Sequence, residues 1–350
     1  MKIRIGTKKI RRHIGFVIFL ILLAPLIYSV IHSGYLYTFD SDELAHVQII
    51  YRMARGEVPF ATFFSIYSPL IHWLLTPIFG IYGFIIDAIY ASRIVMIVLF
   101  GLRIAAAGAL TFVLFRSKLT LLFIPLLLLE PFTVFSGMQI RPDNLMLFLY
   151  TAGLLLLTAG FRSKRKALVF LSGIFLSGAL IASIKIAPSI GVLAVFLFFS
   201  LLREKQRTKY YLLALGSLLP VVIFLFYFFL QGTLGAMLLH LIVYSKANSD
   251  AVLNPALLGI FYWPDNGYIY GLMGRPPSWF LAWILPIFAF PSAYRAITDY
   301  LSGEKKRFED LIVAFLGTSL FVHFLSLLFV RSVFVQYYMP LTWLYVLFFV

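Results

Sequence analysis

Cysteine is absent from this 350-residue chain, and charged residues are scarce. Without cysteine there is neither a disulfide framework nor a thiol nucleophile. Charged residues make up 12% of the chain and hydrophobic residues 62%, whereas about a quarter of the residues in a soluble domain are charged. This composition excludes an ordinary soluble domain, and the mean hydropathy of +0.96 predicts an integral membrane protein.

Several motifs of well-known enzyme classes are also missing from the sequence. There is no HExxH pair, which argues against a membrane zinc protease. There is no P-loop and no GxGxxG turn, so nucleotide hydrolysis has no support. Glu43 and His46 have a spacing found in metal sites, but a helical di-metal site would need a second copy of it.

Apolar runs near the length of a membrane crossing recur along the whole chain. They are continuous rather than alternating, which predicts helices and not barrel strands. We therefore predict an all-α polytopic membrane protein with about ten transmembrane helices, forming one domain over residues 1–350. The predicted spans are 14–31, 93–115, 119–136, 143–160, 167–184, 187–202, 210–230, 278–294, 310–330 and 334–350.

Most of the 29 Lys and Arg residues fall on one side of these spans. They lie in the tail 1–13 and in the short gaps 116–118, 162–166, 203–209 and 295–310. Cytoplasmic loops carry the excess of Lys and Arg, so we predict a multi-pass protein of the cell membrane with a cytoplasmic N-terminus. The positive charge is a topology signal that also attracts anionic lipid, and no nucleic-acid partner is predicted.

Two connections on the opposite, exterior side are long, about 32–92 and 231–277. Long connections tend to be functional, which predicts that any chemistry lies outside. The first contains "FDSDELAHVQIIYRMARGEVPF", where apolar residues recur at helical spacing from Leu44 and predict an amphipathic helix at the interface. This helix should end at Gly56. The following "YSPLIHWLLTPIFGIYG", broken by prolines, predicts a second interfacial element.

Three of the 14 acidic residues stand at the start of that helix, at Asp40, Asp42 and Glu43. One interpretation is structural, because Asp40 is a suitable N-cap and Glu43 has the spacing of a capping box. The helix dipole also favours acids in the first turn. The other interpretation is functional, because capping accounts for one or two of these acids better than for three.

Other charged residues sit near membrane depth, where ionisable groups are candidates for function. Arg103 falls in the middle of a span and must face protein or a polar cavity. Long side chains such as Lys185 and Arg331 can instead reach back to the interface, and Arg141 with Asp143 can form a weak local ion pair. The candidates at the exterior ends of spans are Glu130, Arg141, Asp143, Lys185 and Arg331.

The stretch "FDSDELAHVQIIYRMARGEVPFATFFSIYSPLIHWLLTPIFGIYG" at 39–83 resembles the GT-C class of membrane glycosyltransferases. The branch it resembles contains the polyprenyl-phosphate-mannose protein mannosyltransferases and the lipid A aminoarabinose transferases. The family pattern is an acidic pair after the first span, a helix, a glycine, a Pro-aromatic pair and a later Pro-Leu. The matching residues are Asp42-Glu43, Gly56, Pro59-Phe60, Pro69-Leu70, Arg93, the "RPDN" from Arg141, Lys185 and "QYYMPLTWLY".

This resemblance implies an inverting glycosyltransferase that uses a polyprenyl-phosphate-linked sugar donor. The acceptor would be a glycan, a lipid or a protein on the exterior face. The implied base is Asp42, with Glu43 or Asp143 assisting in orientation or acceptor binding, because a carboxylate can deprotonate a hydroxyl or an amine. A single attack on the anomeric carbon inverts its configuration.

The leaving group would be a lipid phosphate, which needs cations more than a proton donor. Arg141, Lys185 and Arg331 are the predicted phosphate-binding residues. A divalent metal, Mg²⁺ or Mn²⁺, held by Asp40, Asp42 and Glu43 is left open, since oxygen ligands suit these ions. Family members usually run longer, so a chain ending in "LYVLFFV" is expected to be a short member or one lacking a C-terminal exterior part.

Two other functions remain as alternatives. One is a polytopic transporter or lipid flippase that carries out no glycosyl transfer. Arg103 and the region of Pro188 favour this alternative. The sequence shows no internal repeat of the kind common in transporters, which argues against it. A non-catalytic partner of a membrane complex could keep the fold without the activity. Substitution of Asp42 would separate such a partner from an enzyme.

Overall fold

A computed structural model describes residues 5–36, 39–130, 133–134, 137–203, 207–244, 281–303, 307–328 and 335–350. This part of the chain is almost entirely helical and contains no β-strand, apart from one isolated bridge between Pro59 and Phe63. The all-α prediction is therefore confirmed. It follows from an apolar chain whose backbone must satisfy its hydrogen bonds within each segment.

The helices follow one another with short breaks. They are α1 (Ile5–Leu36), α2 (Ser41–Ala54), α3 (Leu70–Tyr82), α4 (Ile86–Phe115), α5 (Phe123–Leu129), α6 (Pro142–Ser163), α7 (Lys166–Ala182), α8 (Ala187–Arg203), α9 (Thr208–Leu230), α10 (Leu234–Leu238), α11 (Leu281–Leu301), α12 (Phe308–Leu328) and α13 (Met339–Phe349). Turns of 3₁₀ helix precede α5, α8 and α13 at Lys118–Leu122, Ile184–Ile186 and Val335–Tyr338. A π-helical turn, Leu239–Tyr244, extends α10.

Six of the described helices are long and apolar enough to cross a membrane. The apolar stretches are Ile18–Leu36, Ile86–Phe115, Pro142–Ser163, Ile184–Leu202, Thr208–Leu230 and Phe308–Leu328. The protein is thus a multi-pass helical membrane protein, but the ten predicted spans are not confirmed. At three of the remaining predicted spans, 119–136, 167–184 and 334–350, the structure has shorter apolar helices. These are Leu119–Leu129, Lys166–Ala182 and Met339–Phe349.

The first long connection contains the two short helices predicted for it, α2 and α3. The start of α2 agrees with the sequence, because the side chain of Asp40 caps it by accepting a hydrogen bond from the Glu43 amide at 2.7 Å. The helix ends at Ala54, and Gly56 takes the left-handed conformation that glycine allows, with φ of 85°. The two helices pack against each other, and α3 also contacts α4.

The long helices form one packed bundle. The pairs α6–α7, α7–α9 and α4–α6 pack most extensively, and α12 joins α8, α11 and α13. Glycines permit the closest approach: a Cβ atom at Gly173 or Gly216 would overlap the backbone of the facing helix, α9 or α7 respectively. Small residues allow this packing in membranes, where helices gain little from burying apolar surface against each other. The bundle brings the N-termini of α2 and α6 and the turn before α8 to one site.

Candidate functional site

A fully buried ion pair ties α2 to α4. Arg93 donates from Nε to Oε1 of Glu43 at 2.9 Å and from Nη2 to Oε2, and both side chains have 0% exposure. The same carboxylate accepts a hydrogen bond from the Ile140 amide at 3.1 Å. Arg93 also donates to the Tyr35 carbonyl at 3.1 Å, and its guanidinium lies 4.1 Å from the ring centre of Phe39. Glu43 is therefore enclosed, and it fixes the first turn of α2 in place.

A second cluster joins the first turn of α2 to Arg141, the N-cap residue of α6. Arg141 donates from Nη2 to Asp40 Oδ2 at 2.6 Å and from Nη1 to Asp42 Oδ2 at 2.9 Å. Its Nε donates to Gln139 Oε1 at 2.7 Å, and Gln139 Nε2 donates to Asp40 at 2.8 Å. Burial opposes the charge of Arg141, but Asp40 and Asp42 outweigh it and raise the pKa of the guanidinium above its ordinary value. One cation therefore holds two carboxylates.

Lys185 and Asp143 form a third pair beside this cluster. Lys185 Nζ lies 2.8 Å from Asp143 Oδ1 and 4.9 Å from the ring centre of Tyr337. Asp143 stands in the first turn of α6, where the helix dipole favours a negative charge. The expected local pair of Arg141 with Asp143 is not what the structure shows. Each of these residues instead pairs with a residue far away in the sequence.

Asp42 is the most accessible of the carboxylates described above. Its side chain is 45% exposed, compared with 14% for Asp40 and 2% for Asp143. Arg141 contacts only Oδ2 of Asp42. The geometry thus leaves Asp42 as a carboxylate that a molecule from solution can reach, whereas Glu43 is closed off and cannot contact an acceptor in this arrangement.

The carboxylates Asp40, Asp42 and Glu43 do not fit a metal ion here. The first two converge on Arg141, whereas Glu43 turns away to Arg93. Across the described ranges, no group of three or more His, Asp or Glu side chains is arranged to hold a metal. The suggestion of a metal held by these three residues is therefore not supported by their geometry.

Sequence reasoning missed Tyr67 and considered His46 only as a metal ligand with Glu43. The ring centres of the two side chains lie 4.3 Å apart. Burial is the main cause that raises the pKa of Tyr67 to about 12, and the negative charge of Asp42 adds to it. His46 follows Asp42 by one helical turn, a signal that the sequence offered. Tyr67 lies in the connection between α2 and α3, where no periodicity marks it.

His46 also pairs with a second histidine. Its Nδ1 lies 2.9 Å from Nε2 of His72 in α3, and both residues are buried. Burial is the main cause that lowers the pKa of His46 well below its ordinary value and that of His72 to about 3. The two imidazoles are therefore neutral at physiological pH.

The remaining candidate residues either make other contacts or lie outside the described residues. Arg103 in α4, for which the sequence suggested no partner, donates to Asn144 Oδ1 at 3.3 Å, and Asn144 donates to the Met96 carbonyl at 2.9 Å. Glu130 accepts a hydrogen bond from the Thr133 amide at 2.6 Å. Arg331 lies outside the described residues, as does the part of the second long connection beyond Tyr244.

No protein-family model matches the chain. No curated protein matches it either. The resemblance to GT-C enzymes therefore stays a prediction that depends on the quoted residues.

Proposed function

We propose that this protein is a membrane glycosyltransferase that moves a sugar from a polyprenyl-phosphate donor to an acceptor at the exterior face. The observation that carries this proposal is the placement of one accessible carboxylate, Asp42, beside two cations from distant parts of the chain, Arg141 and Lys185. Glycosyl transfer from a lipid phosphate needs both kinds of group, a base for the acceptor and positive charge for the leaving group.

Asp42 is the base in this mechanism. Its exposed carboxylate accepts the proton of an acceptor hydroxyl or amine as the acceptor's oxygen or nitrogen attacks the anomeric carbon. The bond between that carbon and the phosphate oxygen breaks in the same step, and the electron pair leaves with the lipid phosphate. Arg141 donates to Oδ2 of the Asp42 carboxylate and orients it.

Arg141 and Lys185 receive the departing phosphate. Both already make ion pairs, with Asp40 and Asp143 respectively. Lys185 is 20% exposed and carries three donors, of which the Asp143 pair uses one. Asp143 is therefore assigned to positioning Lys185, and Glu43 to fixing the start of α2. The excess of Lys and Arg on the opposite side of the predicted spans supports a position of this end of the bundle outside the cell.

The test is the transfer of labelled sugar from polyprenyl-phosphate-linked mannose, glucose and aminoarabinose in membranes that contain the protein. Asp42→Asn should lower the rate by about a hundredfold or more, because the amide cannot take the proton. Asp87→Asn is the matched control, since Asp87 is also an exposed acid in the first turn of a helix, α4. Equal rates for the wild type and Asp42→Asn would remove Asp42 from the mechanism.

A transporter or lipid flippase is the second candidate. The observation that favours it is a cluster of buried polar side chains between α6, α8 and α12, in which Tyr150 contacts Ser189 and Ser319. Pro188, by contrast, lies in the first turn of α8 and does not break a helix. Movement of a fluorescent polyprenyl phosphate across proteoliposomes, unaffected by Asp42→Asn, would favour the transporter.

A further inference from the structure

His46 faces the same region as the proposed base. It follows Asp42 by four residues in α2, and residues with this spacing lie on one face of a helix with Cβ atoms about 5–6 Å apart. The charges of Arg141 and Lys185 both act on His46. The centre of its ring lies 4.3 Å from that of Tyr67, and the two rings are tilted by 51°. Asp42, Arg141 and Asp143 act electrostatically on Tyr67. His46 is thus part of the site.

The neighbours of the two histidines indicate which ring nitrogen of each carries the proton. The Ser68 backbone favours the protonated form of His72, and Nε2 of His72 faces His46, so we assign the proton of neutral His72 to Nδ1. With a proton on Nδ1, a neutral His72 has a bare Nε2, which accepts the proton of His46 Nδ1 across the 2.9 Å contact. The second nitrogen of His46, Nε2, is then left with its lone pair.

The contact with His72 uses Nδ1 of His46 and so leaves this lone pair for a ligand. Burial and two nearby cations keep His46 neutral, so it serves as a hydrogen-bond acceptor and not as a second base. Asp42 and His46 together present two acceptors on one face of α2.

We propose that His46 binds a second hydroxyl of the acceptor through Nε2, which makes the acceptor a sugar with neighbouring hydroxyls and not a lone alcohol. This inference rests on the proposed function. A sugar ring carries hydroxyls on neighbouring carbons, so one can donate to Asp42 and another to His46, which lie on the same face of α2. The ring of Tyr67 beside His46 adds an aromatic surface for the apolar face of the sugar.

The proton arrangement is tested first, without any activity. The chain has six histidines, so nitrogen-15 labelling of histidine alone gives a short spectrum, and His46→Gln identifies the His46 signals by their loss. We expect His46 to carry its proton on Nδ1. His72→Phe, which removes the acceptor of that proton, should shift His46 towards the form protonated on Nε2. A wild-type His46 that is protonated on Nε2 would overturn the inference.

Acceptor choice is the second test. Transfer to octyl mannoside and to octanol is compared for the wild type, His46→Phe and His46→Gln at equal amounts of folded protein. His46→Phe should lose about tenfold to a hundredfold in kcat/KM with octyl mannoside and little with octanol. His46→Gln, whose amide oxygen can accept the same hydrogen bond, should retain much of the activity. His32→Gln is the control, because His32 is exposed on α1.

The outcomes separate the two proposals. If the wild type transfers sugar but His46→Phe loses both acceptors equally or neither, His46 does not bind a second hydroxyl, whereas the proposed function stands. If the wild type prefers octanol, or transfers equally to octanol and octyl mannoside, the role of His46 is likewise contradicted and the proposed function stands. If the wild type transfers no sugar from any of the three donors, the proposed function falls, and the role of His46 in acceptor binding falls with it.

Discussion

At the scale of single residues, neighbouring carboxylates have very different surroundings. Glu43 is enclosed and makes a two-point ion pair with Arg93, whereas Asp42, the preceding residue, is 45% exposed. Taking both ions of a pair out of water is costly, and removal of one partner leaves an uncompensated buried charge. Of these two adjacent acids, Glu43 thus stabilises the structure, whereas Asp42 is accessible to a ligand.

Glu43→Gln should destabilise the protein strongly. The substitution removes the negative charge that Glu43 places against the buried guanidinium of Arg93, for which we expect a loss of about 3–5 kcal/mol in the free energy of unfolding. The measurement is the unfolding transition of the purified protein in detergent.

The matched control for Glu43→Gln is Glu57→Gln. Glu57 pairs with Arg52, but the two side chains are 32% and 36% exposed, so its loss should cost less than about 1 kcal/mol. If the two substitutions destabilise the protein to a similar extent, burial does not determine how much the Glu43–Arg93 pair contributes to the free energy of unfolding.

Only part of this residue-level arrangement was predictable. The capping role of Asp40 was, because an N-cap and its partner lie within one helical turn. The Glu43–Arg93 pair joins residues 50 positions apart, and Arg141 lies 99 positions from Asp42. Such contacts depend on how helices pack, which local periodicity does not contain.

At the scale of elements, the close contact between α7 and α9 depends on two glycines, Gly173 and Gly216. A methyl group at Gly216 would overlap the carbonyl oxygen of Phe170, and backbone atoms cannot move aside as a side chain can. Helix association in a membrane depends on this kind of packing.

Gly216→Ala should therefore destabilise the protein, by about 1–3 kcal/mol, because α7 and α9 must move apart. Gly191→Ala in α8 is the control, since a Cβ atom there meets no atom within 4 Å, and alanine is the better helix former. Thermal unfolding in detergent measures both. A Gly216→Ala protein as stable as Gly191→Ala would show that the α7–α9 contact adapts without cost.

The existence of helices was easier to predict than their lengths. The start of α2 and the run from Thr208 to Leu230 were close to the prediction, because capping and apolar length are local signals. The predicted span 119–136 is not confirmed, since α5 ends at Leu129, ahead of Pro131. An apolar composition alone does not tell a span from a short buried helix.

At the scale of the whole molecule, the side of the membrane that carries Asp42 can be tested directly. The natural chain has no cysteine, so a single introduced cysteine is the only thiol. Ala61→Cys, an exposed position between α2 and α3, should react with a membrane-impermeant maleimide in intact cells. Ser163→Cys, an exposed position at the end of α6, should react only after permeabilisation.

The reverse labelling pattern would place the Asp42 site in the cytoplasm and contradict the proposed topology. Reaction of both cysteines in intact cells would be equally contrary to it, because Ala61 and Ser163 are predicted to lie on opposite sides. Equal labelling of both variants in detergent serves as the control for access to the thiol.

The buried arginines of α4 have a consequence for the order of membrane insertion. Arg93 pairs with Glu43, which the ribosome has already made, whereas Arg103 donates to Asn144, 41 residues further on. At about 5–20 residues per second, Asn144 follows Arg103 by about 2–8 seconds. A lone arginine within lipid is costly, so α4 is expected to wait beside the translocon until α6 arrives, and the two helices would enter the bilayer as a pair.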